Sequence, residues 1–415
     1  VRAPRAGERP VRASWIGFLP SARVLAGLLA AGLLAGCGQG GEEGDGGEAP
    51  PPPGTPLAID SSPSRSVGVL GGDPAEEFGR VLTPFLSPSG RLVVPDAGSL
   101  ELRVFGPGGT PVDRLGGPGK GPGEFVDLRG AWTRGDTIEA WDGGARRITR
   151  FLPDGEVEVI SVGGEGVHLD SSVGPLGEGW GLVSLEFGAF DEGRARDRAG
   201  LVRVSRDGRI REPIVELEGM ERHLLAGRSS APHPFTPPTG LFAVLRGEIY
   251  AAEGRTPRVE VRDPSGDLLR EISLSLRPPG PPDAVLEDVI DSLETRRGDA
   301  GNARGLYTPE ALRNFPEAEA LPVLWALLVD PEGFLWVRPY DPFVHSLVLG
   351  GHPAGRGGPG GSWLLVAPDG AEVGTIEVPD GFEPRSVGRD VVVGVHVDEL
   401  GVETVRVHRL RRRGG

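Results

Sequence analysis

The side chains that could do chemistry in this 415-residue chain are few and scattered. Seven histidines, at 168, 223, 233, 345, 352, 396 and 408, show none of the close spacings that set two imidazoles on one metal ion. A serine nucleophile on a strained elbow needs Gly-x-Ser-x-Gly, and the chain has no such pentapeptide. Gly119-Lys120 lies in a Gly-rich stretch. A phosphate loop needs Ser or Thr next and then a helix, whereas Gly121 follows here and a strand comes after it. What remains is a set of candidate ligand contacts. His223, Arg228, His233 and Arg385 fall on one expected loop-bearing face, and Arg129 and Asp170 immediately precede expected inner strands, where they could face a central channel. These groups offer ion pairing and hydrogen bonding. No catalytic residue and no metal ligand is identified among them.

Cys37, the only cysteine, excludes an intramolecular disulfide framework and a cysteine zinc site. It closes a segment with the parts of a secretory signal: Arg2, Arg5, Arg9, Arg12 and Arg23, then a 12-residue apolar stretch at 24–35. That stretch is short of the roughly 20 residues needed to span a bilayer. Leu34-Ala35-Gly36-Cys37 resembles the lipobox of bacterial lipoproteins. The resemblance implies a signal peptide over 1–36, acyl chains on Cys37, and a lipid-anchored, periplasmic or outer-membrane place in the cell envelope. Residues 37–56, rich in Gly, Pro and acids, read as a tether too polar to bury a core. Residues 1–36 hold five Arg and one Glu, so 39 bases then face 58 acids, a net of −19. Such an acidic body argues against a nucleic-acid partner, whose phosphates need basic surface.

The elements that must position these residues repeat. From 57 onward, short apolar runs alternate with Gly turns of two kinds. One kind falls at Ser89-Gly90, Gly135-Asp136, Gly177-Glu178, Arg246-Gly247, Glu332-Gly333 and Arg389-Asp390. The other falls at Gly108-Gly109, Asp154-Gly155, Asp207-Gly208, Ser265-Gly266 and Asp369-Gly370. Such dipeptides supply the positive φ of tight hairpins. The order strand A, turn, strand B, loop, strand C, turn, strand D describes an all-β six-bladed β-propeller of four-stranded antiparallel blades over 57–411. The last unit lacks a strand D, and Ser66-Val67-Gly68-Val69-Leu70 is expected to supply it and close the ring. All long connections (116–128, 186–199, 219–238, 277–320 and 341–361) then emerge on one face, where repeat proteins place binding loops. The 277–320 insertion contains a helix with an apolar stripe from Val285 to Leu293 and a shorter one opening at Thr308-Pro309. It reads either as a lid or docking element at the channel mouth, or as a helix packed on a blade flank.

Leu115-Gly116-Gly117-Pro118-Gly119-Lys120-Gly121-Pro122-Gly123-Glu124-Phe125 and Asp330-Pro331-Glu332-Gly333-Phe334-Leu335-Trp336-Val337 resemble segments of six-bladed, NHL-like propeller lipoproteins of bacteria. The resemblance implies the fold across about 66–410 and leaves activity open. Six-bladed relatives in the gluconolactonase and paraoxonase group hold a calcium-type ion on Asp, Glu and Asn. Asn302 and Asn314 both lie in the helical insertion, so that ligand set is not matched. The expected function is a non-enzymatic scaffold for a protein, peptide or glycan, with no cofactor. The alternative is a metal-dependent, lactonase-like hydrolase or lyase using a divalent ion in the channel.

Overall fold

The computed structural model describes residues 56–69, 76–164, 166–224, 230–236, 240–296, 307–347, 360–398 and 402–412. The leader, Cys37 and most of the tether lie outside the described residues. Two short strands, β1 (Leu57–Ile59) and β2 (Arg65–Val67), precede the sheets. Sheet 1 holds β3 (Phe85–Leu86), β4 (Leu92–Asp96), β5 (Glu101–Phe105) and β6 (Pro111–Gly116). Sheet 2 holds β7 (Leu128–Arg134), β8 (Thr137–Asp142), β9 (Arg147–Phe151) and β10 (Val157–Ser161). Sheet 3 has five strands: β11 (His168–Leu176), β12 (Gly179–Glu186), β13 (Arg194–Val204), β14 (Ile210–Leu224) and β15 (Ser230–Pro232). Sheet 4 comprises β16 (Leu241–Leu245), β17 (Glu248–Ala252), β18 (Arg258–Arg262) and β19 (Leu268–Ser273). Helices α1 (Pro282–Arg296) and α2 (Pro309–Arg313) follow it. Sheet 5 comprises β20 (Leu324–Val329), β21 (Leu335–Pro339), then helix α3 (Pro342–His345), β22 (Gly361–Val366) and β23 (Glu372–Val378). Sheet 6 has β24 (Phe382–Val387), β25 (Val391–Val397) and β26 (Glu403–Arg412).

Every sheet is antiparallel with neighbours in chain order, as short Gly turns require. β26 has two further partners: β1 pairs with it at 410–412 and β2 at 405–407. The expected partner, 66–70, overlaps β2 only at Ser66 and Val67, and Leu70 lies outside the described residues. β1 was not foreseen, because three residues beside a proline-rich tether carry too little pattern to read as a strand. Its Leu57 and Ile59 are nevertheless buried, between β23 and β26.

Apolar side chains alternate along the strands and fill the spaces between successive sheets. Leu82, Leu102, Phe125 and Leu128 lie between sheets 1 and 2, and Trp141, Ile148, Trp180 and Leu182 between sheets 2 and 3. The series continues through sheets 4 and 5. Val67, Leu92, Val94, Val393 and Val405 then pack sheet 6 against sheet 1. Each fully buried aliphatic side chain contributes about 1.5–3 kcal/mol. Burial also demands pairing of polar groups. Glu139 is fully buried where sheets 2 and 3 meet. Its Oε2 accepts the indole N–H groups of Trp132 and Trp180, each at 2.7 Å, and its Oε1 accepts from Arg150 Nε at 2.9 Å.

Two of the expected long loops are partly strand. Residues 194–199 of the 186–199 segment belong to β13, and 219–224 of the 219–238 segment belong to β14. Antiparallel pairing across this extension satisfies backbone groups that a loop would leave to solvent.

Candidate functional site

In an antiparallel meander, the B–C and D–A connections leave each sheet at one end, and the A–B and C–D turns leave at the other. The first end therefore carries the connections 117–127, 187–193, 274–323 and 340–360, and three clusters of polar side chains gather there.

The first cluster is small. Arg129 and Asp170, near the starts of β7 and β11, meet directly, with Arg129 Nη1 donating to Asp170 Oδ1 at 2.8 Å. Arg129 Nε donates to Asp127 Oδ2 at 2.7 Å. The Gly-rich segment beside them folds on itself. Gly121 N donates to the Glu124 carboxylate at 2.7 Å, and Phe125 is wholly buried. A Cβ at Gly116, where φ is +99°, would lie 2.5 Å from the Phe125 ring, which explains the glycine there. Arg147 holds the carbonyls of Lys120 and Glu124. The motif is thus a closed loop that fixes the approach to β7.

The second cluster centres on Glu221, a fully buried carboxylate of β14 that sequence reading passed over. Arg255 Nη2 donates to it at 2.6 Å and Arg196 Nη2 at 3.0 Å, and His223 Nε2 lies 2.8 Å from its Oε1. Burial pushes the Glu221 carboxyl up, but the Arg255 hydrogen bond and charge, aided by the histidines, hold it below its ordinary value. His223 and His233, expected as ligand contacts on the loop-bearing face, are buried, with ring centroids 5.5 Å apart. His233 Nδ1 accepts from Phe235 N at 3.1 Å, so Nε2 carries the proton donated to Pro316 O at 3.1 Å. Burial lowers the pKa of His233 to about 4, against the opposing pull of Glu221. The apolar stripe of α1 (Val285, Val289, Ile290, Leu293) packs with Ala231, Phe235, Tyr307 and Phe315. The insertion is tied down by Glu319 on Arg196 at 2.8 Å and by Tyr307 OH donating to Pro232 O at 2.8 Å. α1 therefore packs on the segment around β15 and on the rest of its own insertion. Arg228 lies outside the described residues.

The third cluster joins sheets 5 and 6. Arg385 Nη2 donates to Glu383 Oε2 at 3.0 Å, and Arg338 Nη1 approaches the other oxygen at 3.5 Å. Arg385 is therefore an ion-paired residue inside β24. Beside it, Trp325, Tyr340 and His345 form a buried aromatic group, with Trp325 and His345 stacked at 4.5 Å and 10°. No local motif announces this group, because its members come from β20, the end of β21 and α3. The signal available was a Trp, a Tyr and a His at the ends of apolar runs.

The carboxylates of Asp170, Glu221 and Glu383 are each paired with arginine, and His233 has both ring nitrogens engaged. Among the described residues, no group of three or more His, Cys, Asp or Glu side chains could hold a metal ion. Large apolar side chains at the same end are left to solvent. Phe187 and Phe190, 56% and 36% exposed, flank the Arg222 guanidinium at 5.4 and 5.1 Å, and Asp197 holds that guanidinium at 2.7 Å.

No family model matches the chain, and no curated protein matches it in sequence. Solved structures do. An exported protein of Bacteroides fragilis is 13% identical, with 87% of this chain and 96% of that one covered and a TM-score of 0.47. A duf4221-family protein of Bacteroides vulgatus is 11% identical, with 86% and 99% covered and a TM-score of 0.48. Virginiamycin B lyase of Staphylococcus aureus is 10% identical, with 85% and 99% covered and a TM-score of 0.40. These neighbours are β-propeller proteins.

Proposed function

We propose that the chain is a six-bladed β-propeller, closed where β1 and β2 pair with β26, and held outside the cytoplasm by lipid on Cys37. It works as a non-enzymatic scaffold whose loop-bearing end receives a protein, peptide or glycan. One observation carries this reading. Glu221 is paired with Arg196 and Arg255 there, while Phe187 and Phe190 remain exposed around a guanidinium fixed by Asp197. Exposed aromatic rings beside an immobilised Arg are what a recognition surface needs, since both are enriched where proteins bind partners. The acidic body keeps such a surface soluble and away from nucleic acid.

The test compares the wild-type chain with a Phe187→Ala/Phe190→Ala variant on defined peptide and glycan arrays. Saturable binding by the wild type that the variant loses, at unchanged unfolding midpoint, is the expected result. Turnover of a lactone or ester by the purified chain, abolished by a single substitution at the loop-bearing end, would overturn it. Labelling with a radioactive fatty acid, present in wild type and absent in Cys37→Ala, tests the anchor separately.

A further inference from the structure

The buried group at the end of sheet 5 has polar atoms that the protein itself does not satisfy. Trp325 Nε1, Tyr340 OH, His345 Nε2 and Ser346 Oγ are all buried and have no hydrogen-bond partner. Buried polar atoms without partners cost about 1–3 kcal/mol each, so four such atoms call for an explanation. Three of them sit on rings that pack together. The ring centroids of Trp325, Tyr340 and His345 form a triangle with sides of 4.5, 5.7 and 5.8 Å, and Ser346 follows His345 in the chain.

The hydrogen-bonding character of these atoms is one-sided. An indole N–H can only donate. His345 Nδ1 accepts from Asp341 N at 2.8 Å, which leaves the proton on Nε2 and makes that atom a donor too. The two hydroxyls can each donate as well. A water molecule placed there would itself need acceptors for its two protons, and only the hydroxyls could offer any. An anion takes every one of these hydrogen bonds and donates none. The charged group facing His345 is Arg338, which itself faces Glu383, Arg385 and Asp341. The Asp341 carboxylate is already committed to the Phe343 N–H that opens α3. Burial and the nearby Arg338 charge keep His345 neutral, so the site donates without bringing a proton that could leave.

We propose that Trp325, Tyr340, His345 and Ser346 form a binding site for a compact monovalent anion, either a free halide or the carboxylate of a larger ligand. The bound ion bridges β20, the end of β21 and α3. It thereby fixes the connection that leaves sheet 5 at the loop-bearing end.

Crystals of the full chain grown without halide or carboxylate, then soaked in sodium bromide, provide the first test. An anomalous peak within hydrogen-bond reach of Trp325 Nε1 and His345 Nε2 is expected. A second soak, in bromide with excess sodium acetate, distinguishes the sources: a retained peak assigns a halide site, and its replacement by planar density assigns a carboxylate site. Density that neither soak changes marks ordered water only and overturns the proposal.

Solution measurements use Ser346→Ala and Tyr340→Phe, which each remove a single oxygen. With no anion bound, removing a buried, unpartnered hydroxyl should raise the unfolding midpoint. The bromide concentration that raises the midpoint should increase about tenfold in each variant, as expected for one lost hydrogen bond to a charged group. A bromide response identical in wild type and both variants would also overturn the assignment.

Discussion

Arg129 Nη1 donates to Asp170 Oδ1 at 2.8 Å, joining the first strand of sheet 2 to the first strand of sheet 3. The two side chains are 31% and 34% exposed, so water screens the pair. Exposed ion pairs contribute little, and Arg129 also has Asp127 to turn to. A double-mutant cycle of Arg129→Ala and Asp170→Ala, read by urea denaturation, should give a coupling below about 1 kcal/mol. A coupling several times larger would mean that the pair holds the two sheets together.

Glu139 should behave in the opposite way. It is fully buried and takes two indole N–H groups and an Arg150 N–H from two sheets. Glu139→Ala leaves those donors without an acceptor and opens a cavity, at a cost of about 3–5 kcal/mol. Glu139→Gln keeps the volume but turns one end into a donor facing donors, so it should lose a substantial part of that. Equilibrium urea unfolding checks both. A Gln variant as stable as wild type would show that charge and acceptor count do not matter there.

Much of the fold was legible because tight turns have local chemistry. Asp154-Gly155, Asp207-Gly208 and Asp369-Gly370 each mark a hairpin that the structure contains, with glycine φ of 89°, 79° and 90°. The sites were less legible, because burial is a property of the assembled sheets. His223 reads as polar when seen beside Glu221 and Arg222, yet the β13–β14 extension and the insertion cover it. Glu221 was missed for the same reason: a glutamate near other acids looks solvated until Arg196 of β13 and Arg255, between β17 and β18, meet it. Asp96 and Asp142 show what a spacing could have revealed. Each ends a second strand, precedes a small-residue pair, and accepts backbone N–H groups from the segment leading into the first strand.

Removal of the first strands tests the proposed closure by β1 and β2. Leu57, Ile59 and Val67 are buried in the clusters between sheets 5 and 6 and between sheets 6 and 1. Without them β26 becomes an unpaired edge, and apolar surface on both sides meets water. A chain beginning at Gly68 should unfold at a much lower temperature than one beginning at residue 38, and should self-associate on size-exclusion chromatography. Equal midpoints and a monomeric elution would show that β1 and β2 are dispensable.

Acid should loosen the helical insertion first. His233 is neutral in the folded chain because burial brings its pKa from 6.5 to about 4, and in that form it donates to Pro316 O. The unfolded chain binds this proton near pH 6.5, the folded chain only near pH 4. Between those values the unfolded state holds more protons, so stability falls as pH falls. The full loss from this one group is about 3 kcal/mol, complete below the folded pKa and absent above the unfolded one. Glu221 acts next. Its carboxyl is held low in the folded chain, so its contribution persists until the pH drops below the ordinary carboxylate range. His345, also held low, adds to the slope without touching Glu221. His233→Gln keeps one donor and one acceptor on the side chain but cannot titrate. Urea midpoints of this variant between pH 6.5 and 4 should fall less steeply than those of the wild type, by the equivalent of one proton. Hydrogen exchange of α1 should show the same difference, because the α1 stripe packs on Phe235 and Phe315, which border the His233 ring. Parallel pH profiles for the two proteins would remove His233 as the source of the acid sensitivity.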